Sequence, residues 1–304
     1  MYFRSLPDHS QPGFDEQLHF SRFRQQNIIF NALSSKSYCD RHVGCLSIKT
    51  VSGGEEWYGV DHRQLAVRPG QFLILNDDQE YSCRIDTSGK VRVQSVFFRK
   101  EFVAAVFRDA LYSEEASLDV PFDTGGEALN FFQTLHDMDP EMEKMLSGLV
   151  GALDINGYDR TMVDERMVFL LHHLIRVQKK EVARAGMVSA VKPGTRMEIY
   201  RRLCIARDLL HSTYMDMPDL DLIGRTACLS TPQLIRQFKA VFRTTPYQYL
   251  TRIRMGHAAR MLVEGAMPVH EITWRCGWEN TSAFCRAFKA AYGMQPMEYR
   301  ELRR

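Results

Sequence analysis

Residues 230–250 read STPQLIRQFKAVFRTTPYQYL, and residues 280–300 read NTSAFCRAFKAAYGMQPMEYR. At an offset of 50 the two stretches are identical at seven of 21 positions: Thr231/Thr281, Arg236/Arg286, Phe238/Phe288, Lys239/Lys289, Ala240/Ala290, Pro246/Pro296 and Tyr249/Tyr299. A repeat that kept only apolar residues would report a shared packing solution. This one also keeps an Arg–Lys pair, which packing alone does not require.

Written as a helix with Ser230 as N-cap and Pro232 in the first turn, the first copy puts Leu234, Phe238, Val241 and Phe242 on one face. At about 100° per residue, Pro232, Arg236, Lys239 and Ala240 fall on the opposite face, with Gln233 beside them. In the second copy Phe284, Phe288, Ala291 and Tyr292 turn inward. Ser282, Arg286, Lys289 and Ala290 turn outward, with Ala283 beside them. A short helix precedes each copy: DLIGRTA (221–227) before the turn Cys228-Leu229, and HEITWRC (270–276) before the turn Gly277-Trp278-Glu279. Short helix, tight turn and second helix with a polar outer face is a helix-turn-helix, whose second helix enters a major groove. The first turn carries Cys228 where the second carries Gly277, and it is one residue shorter. Arg243 stands where the second copy has Gly293, a substitution that could shift the end of the first recognition helix. Trp274 and Trp278 are expected in the core.

These segments, IGRTACLSTPQLIRQFKAVFRTTPYQYL, the joining helix RIRMGHAARMLVEG and ITWRCGWENTSAFCRAFKAAYGMQPMEYR, resemble the AraC/XylS family of transcriptional regulators over residues 197–302. The resemblance implies that two recognition helices on one chain read successive major grooves of promoter DNA. It implies base contacts from Pro232, Gln233, Ile235 and Arg236 in the first helix, and from Thr281, Ser282, Cys285 and Arg286 in the second. Arg236 and Arg286 are the strongest of these, because a guanidinium can bridge guanine O6 and N7. Lys239, Lys289, Thr231 and Asn280 are expected to hold phosphates.

The charge distribution agrees. From residue 191 onward there are 18 Lys and Arg against 10 Asp and Glu, a net of +8, whereas residues 1–190 hold 21 against 27, a net of −6. A basic end on an acidic body suits a polyanion partner.

Ahead of this region the pattern changes. QNIIFNAL, HVGCLSIKTV, QLAVRPGQFLIL, YSCRI and VRVQSVFF are short β-branched and aromatic runs, separated by Ser52-Gly53-Gly54, Pro69-Gly70, Asn76-Asp77-Asp78 and Ser88-Gly89. They predict a β-barrel over about 16–105, followed by helices over about 106–186. Pro140 opens one helix, and residues 164–185 form another with an apolar stripe of Met167, Leu170, Leu171, Leu174, Ile175 and Gln178. That stripe suits packing on its own domain or on a second copy of the chain. RPGQFLILNDDQEYSCRI resembles the second half of a cupin motif. The expected architecture is therefore α+β: a cupin-like barrel with trailing helices (1–188, effector binding and dimerisation), a linker (189–196), and an all-α domain of two helix-turn-helix units joined by a helix (197–304). Breaks are expected at 216–219, 228–230, 243–245, 265–268 and 277–280.

A metal-binding cupin needs clustered histidines. His42 and His62 are too far apart for such a pair, and Glu80-Tyr81 occupy the later position, so neither a metal nor any other cofactor is expected. An effector pocket lined by His42, Trp57, Tyr58 and Arg84 is expected instead. No Gly-rich phosphate loop, nucleophile elbow or four-cysteine cluster points to an enzyme. Seven cysteines without regular spacing, a polar start broken by Pro7, Pro12 and Gly13, and no long apolar run imply a cytoplasmic chain without a membrane span. Expected partners are promoter DNA, a small-molecule effector, a second copy of the chain and, for an activator, RNA polymerase. The alternative is a ligand-independent regulator whose N-terminal domain serves only dimerisation or protein partners.

Overall fold

The computed structural model describes residues 1–7, 15–111, 130–265 and 267–303. The chain divides into two compact units, Met1–Val182 and Ala183–Arg304. It is an α+β protein, with a sheet in the first unit and helices throughout the second.

The described strands of the N-terminal unit are β1 (Tyr2–Phe3), β2 (Ile28–Val43), β3 (Ser47–Gly53), β4 (Glu56–Val60), β5 (Arg63–Val67), β6 (Gln71–Leu75), β7 (Glu80–Phe97) and β8 (Leu135–Asp137). They run in the order β1-β2-β7-β3-β6-β8, with β4 pairing to both β5 and β7. The long strand β7 is the hub. β2 follows one of its edges, while β3 and β4 share the other. Val51, Tyr58, Leu65, Leu73, Tyr81 and Val93 meet in one buried cluster, so the wings of the sheet curl over a common interior. Alternate residues point the other way, as a pleat requires. Ile29, Ile48, Phe72, Ile74 and Val96 form the outer face, covered by helices.

The helices of this unit are α1 (Glu16–Gln25), α2 (Lys100–Leu111), α3 (Pro140–Asn156) and α4 (Arg160–Ala185); α2, α3 and α4 cover the outer face, whereas Phe23 of α1 packs with Phe30 and Phe97 on the cavity side. α3 starts as the sequence predicts: Asp139 caps it, accepting from the Met142 N–H at 2.8 Å, and Pro140 fills the first turn. Met167, Leu170, Leu171, Leu174 and Ile175 of α4 are buried against the outer face of the sheet. Each contributes about 1.5–3 kcal/mol by burial. The apolar stripe is thus spent within its own unit.

Several sequence expectations need correction. Residues 16–25 form α1, not β structure: Asp15 caps it, and EQLHFSRFRQ contains no β-branched residue to oppose a helix. α2 begins at Lys100 rather than near 106, and β8 lies inside the stretch expected to be helical, where it pairs with β6. The part of that stretch from 112 to 129 falls outside the described residues. Ser88-Gly89 makes no turn. In the β2–β7 ladder Ser34 pairs with Val91 and Lys36 with Asp86, so residues 87–90 bulge from a strand that continues on both sides.

The C-terminal unit contains α5 (Pro193–Ser212), α6 (Leu220–Thr226), α7 (Thr231–Phe242), α8 (Pro246–Glu264), α9 (Val269–Arg275), α10 (Thr281–Tyr292) and α11 (Pro296–Arg303). The five breaks read from the sequence separate the first six of these helices, and a sixth, at 293–295, divides α10 from α11. The expected linker is shorter than 189–196, because Pro193 starts α5 and pre-sets its first turn. Residues 183–189 belong to the helical unit. The Gln237 side chain accepts from the Ser189 N–H at 3.0 Å and donates to the Ser189 carbonyl at 3.3 Å, and Val188 is buried. Among the described residues no helix is long and apolar enough to cross a membrane.

Candidate nucleic-acid interface

The two halves of the C-terminal unit are built by the same rules. Asp219 caps α6, and its carboxylate accepts from the Leu222 N–H. α6 ends in a turn closed by Leu229 N–H donating to the Gly224 carbonyl at 2.9 Å, and α9 ends in a turn closed by Trp278 N–H donating to the Thr273 carbonyl at 3.0 Å. Both turns pass through the left-handed region, at Cys228 with φ +51° and at Gly277 with φ +70°. These equivalences run at an offset of 49, while the recognition helices match at 50. The extra residue, Glu279, therefore lies between the second turn and its helix.

α7 and α10 then present matched faces. Leu234, Phe238, Phe284 and Phe288 are fully buried. Each anchor ring joins an aromatic triad with the helix that follows. Phe238 lies 4.6 Å from Phe242 and 5.5 Å from Tyr249, and Phe288 lies 4.7 Å from Tyr292 and 5.4 Å from Tyr299. Both helices end in a left-handed cap that returns its N–H to the equivalent lysine carbonyl: Arg243 to Lys239 at 3.0 Å and Gly293 to Lys289 at 2.8 Å. Arg243 adopts φ +61° there, so the first recognition helix ends in register with the second.

Outward, Pro232, Arg236 and Lys239 are exposed on α7, and Ser282, Arg286 and Lys289 on α10. Gln233, Ile235, Thr281 and Cys285 are half-buried beside them. Among the described residues neither arginine and neither lysine makes an ion pair or side-chain hydrogen bond, so these four exposed charges are not neutralised by a contact within the fold. Two of the expected phosphate ligands are engaged within the fold. Thr231 Oγ1 donates to Asp221 Oδ1 at 2.6 Å, and Asn280 Oδ1 caps α10 by accepting from the Ala283 N–H at 3.0 Å.

Ala291 was expected inward and is exposed, because Phe284, Phe288 and Tyr292 already fill the space under α10. Trp274 is 63% exposed, although the sequence places it in the core. The buried side of the seven-residue α9 carries Ile272 and Thr273, and Trp274 is turned away from Ile272 by about 200°. Trp278 does pack against the second unit's core. Arg202, not singled out in the sequence, holds the first turn by donating to the Cys228 carbonyl at 3.0 Å.

In the N-terminal unit the interior of the curled sheet contains a cavity of about 70 Å³. Two of the four expected pocket residues, His42 and Tyr58, line it. Trp57 and Arg84 do not. They are neighbours of Tyr58 and Cys83 on β4 and β7, pair across that ladder, and therefore point to the opposite face. Trp57 instead donates to Glu55 at 2.9 Å, and Arg84 is exposed. The sequence reading missed Lys49 and Glu56, both 2% exposed and both on the cavity wall. Their available signal was parity: Lys49 shares the inward face of β3 with Val51. Among the described residues no group of three His, Cys, Asp or Glu side chains could hold a metal ion.

Two short-helix, turn, recognition-helix units on one chain, each with an unpaired Arg–Lys face, define a double helix-turn-helix DNA-binding domain. A family model described as a helix-turn-helix domain matches residues 223–302. An AraC-like transcription regulator of Streptomyces lividans is 33% identical over 145 residues, 46% of this chain and 45% of that protein. The HTH-type transcriptional regulator ArgR of Pseudomonas aeruginosa is 32% identical over 84 residues, 28% and 26% of the two chains. Among solved structures, the C-terminal domain of AraT, a response regulator from Geobacillus stearothermophilus, is 30% identical over 34% of this chain and 85% of that one, with a TM-score of 0.32. The chain spans less than half the length of the curated relatives it matches. Residues 223–302 thus form a helix-turn-helix domain similar to that of AraC-like transcription regulators.

Proposed function

We propose that the chain is a transcriptional regulator that reads two adjacent major grooves of promoter DNA with α7 and α10 and responds to a small molecule held in the N-terminal cavity. The observation that carries the DNA reading is the matched, unpaired pair of Arg236 with Lys239 and Arg286 with Lys289 on equivalent exposed faces. The arginines read bases, and the lysines hold phosphates and set register. Pro232, Gln233, Ile235, Thr281, Ser282 and Cys285 complete the two faces. Thr231 and Asn280 shape the helix starts, where amide N–H groups favour a phosphate. The cavity supports an effector role over one limited to protein contacts. A homodimer would use a surface other than the apolar stripe of α4, which the sheet already covers. RNA polymerase is a partner for activation, and the chain acts as a binding protein rather than an enzyme, in the cytoplasm.

Selection of bound sequences from a random DNA library by the full chain is expected to return two short blocks about one helical turn apart. Arg236→Ala should relax preference in one block and Arg286→Ala in the other, each at a cost of about 1–3 kcal/mol. Lys239→Ala should weaken all sequences alike and reduce the salt slope by about one. An unchanged pattern of preference in both arginine variants would overturn the base-contact assignment.

A further inference from the structure

Lys49 is the unusual group of the N-terminal unit. It sits on the inward face of β3 and is almost wholly buried. Its Nζ donates to the Tyr81 hydroxyl at 3.1 Å and lies 3.4 Å from the centre of the Phe97 ring. Both contacts suit a charged ammonium, since an aromatic face attracts a cation. Neither supplies a negative charge. Among the described residues no carboxylate comes within ion-pair distance of Nζ. The neighbouring Glu56 is instead bound by the Tyr58 hydroxyl, which donates to its Oε2 at 2.7 Å.

The surrounding groups do not provide the missing charge. A hydrogen bond with Cys39, together with burial, holds the Cys83 thiol well above its ordinary range. Burial does the same to the hydroxyls of Tyr58 and Tyr81. Burial pushes Glu56 up to about 7 and Lys49 down to about 8, so at neutral pH the lysine is charged and the carboxylate only partly so. A buried cation without a contact counter-ion is costly, and one that borders a cavity can receive its partner from outside. The rest of the wall is apolar and aromatic, with Leu6, Phe23, Phe30 and Val93. Such walls suit an organic body more than a bare inorganic ion.

We infer that the cavity takes a small monocarboxylic acid with a compact apolar or aromatic body, its carboxylate paired to the Lys49 ammonium. This deepens the effector reading proposed above and rests on it. At about 70 Å³ the cavity holds the carboxylate and the first part of the body. Glu56, when protonated, adds a second hydrogen-bond donor to the bound carboxylate.

The test uses the full chain with benzoate and hexanoate as probes, benzamide and hexanamide as their neutral counterparts, and sodium chloride as an ionic control. Titration calorimetry and melting shifts should show saturable binding of the acids, with each amide about tenfold weaker or more, since an ion pair gives way to a hydrogen bond in which only the lysine is charged. Chloride alone should not compete at matched ionic strength. Lys49→Met should abolish the preference of each acid over its amide, and a retained cooperative unfolding transition reports that the unit is folded. Glu56→Gln, which removes the internal carboxylate, should tighten the acids. Amides that bind as well as acids, acids indifferent to Lys49→Met, or no binding of either acid would each overturn the carboxylate assignment. Amide binding that a cavity-filling Ser95→Phe abolishes would leave the effector site standing with a neutral ligand. If neither acids nor amides bind, the effector reading fails as well.

Discussion

Gly277→Ala should destabilise the C-terminal unit by roughly 2–5 kcal/mol, the combined cost of backbone strain and overpacking. A methyl group at this position would sit 2.3 Å from the Met215 carbonyl oxygen and 2.8 Å from Arg254 Nη2, and the backbone holds φ +70°. Neither neighbour can easily move. Met215 belongs to the loop after α5, which Arg254 fixes by donating from Nε to the Tyr214 carbonyl at 2.8 Å and from Nη2 to the Asp216 carbonyl at 2.9 Å. The equivalent turn of the first unit predicts the opposite sign. Cys228 already occupies the left-handed region at φ +51° with a side chain, so Cys228→Gly should relieve strain and stabilise by about 1 kcal/mol. Urea unfolding of both variants checks the pair. A neutral Gly277→Ala would mean that the turn can rearrange away from Met215.

The second large effect concerns the cavity. Replacing both Lys49 and Glu56, as Lys49→Met with Glu56→Gln, is expected to stabilise the protein at pH 7 to 8 by on the order of 1–4 kcal/mol. The sign follows from proton linkage. Burial lowers Lys49 from 10.5 to about 8, so between those values the unfolded chain binds more protons and stability rises with pH. Burial raises Glu56 from 4.5 to about 7, so between those values the folded chain binds more protons and stability falls as pH rises. Both penalties are therefore full between about pH 7 and 8. The Glu56 penalty fades toward pH 4.5 and the Lys49 penalty toward pH 10.5. The gap between double variant and parent should be widest near neutrality and narrow on both sides. Denaturant midpoints across pH 4.5–10.5 measure it, and a gap independent of pH would show that the two groups are not strained by burial. A destabilising pair of charges is the cost that the proposed binding site would place on the fold.

The helical unit was legible because its two halves report on each other. Phe238 and Phe288 fixed the inward face, which placed Arg236 and Arg286 outward without further knowledge. The turns were harder, since they match at an offset of 49 and the helices at 50, and only the backbone shows where Glu279 enters. Trp274 misled because large apolar residues are usually inside, and a seven-residue helix offers too few positions to show its buried side. In the N-terminal unit, strands were readable as strands, but the faces were not. Trp57 and Tyr58 are adjacent and equally apolar, and only the β4–β7 register says which one enters the cavity. Lys49 reads in SIKTV as an ordinary outward lysine until β6 and β7 are seen to flank its strand. The α1 helix was hidden because its Leu and Phe residues read equally well as the edge of a β run.

Under the proposed reading of two adjacent grooves, the joining helix α8 fixes how far apart α7 and α10 would meet the DNA. Its first turns carry Tyr249, which completes the first unit's aromatic triad, and its later turns carry Met255, Ala258 and Leu262, which seat Phe284 and Phe288 of the second. One rod is thus core to both readers. With 19 residues at about 1.5 Å each it is about 28 Å long, close to the ~34 Å over which a major groove returns to the same side of a duplex. One residue added at its middle would swing one reader about 100° around the rod relative to the other. Loops elsewhere can vary in length. Under the proposed two-groove reading this rod would act as a ruler, with the distance between the two blocks of a target site set by its residue count.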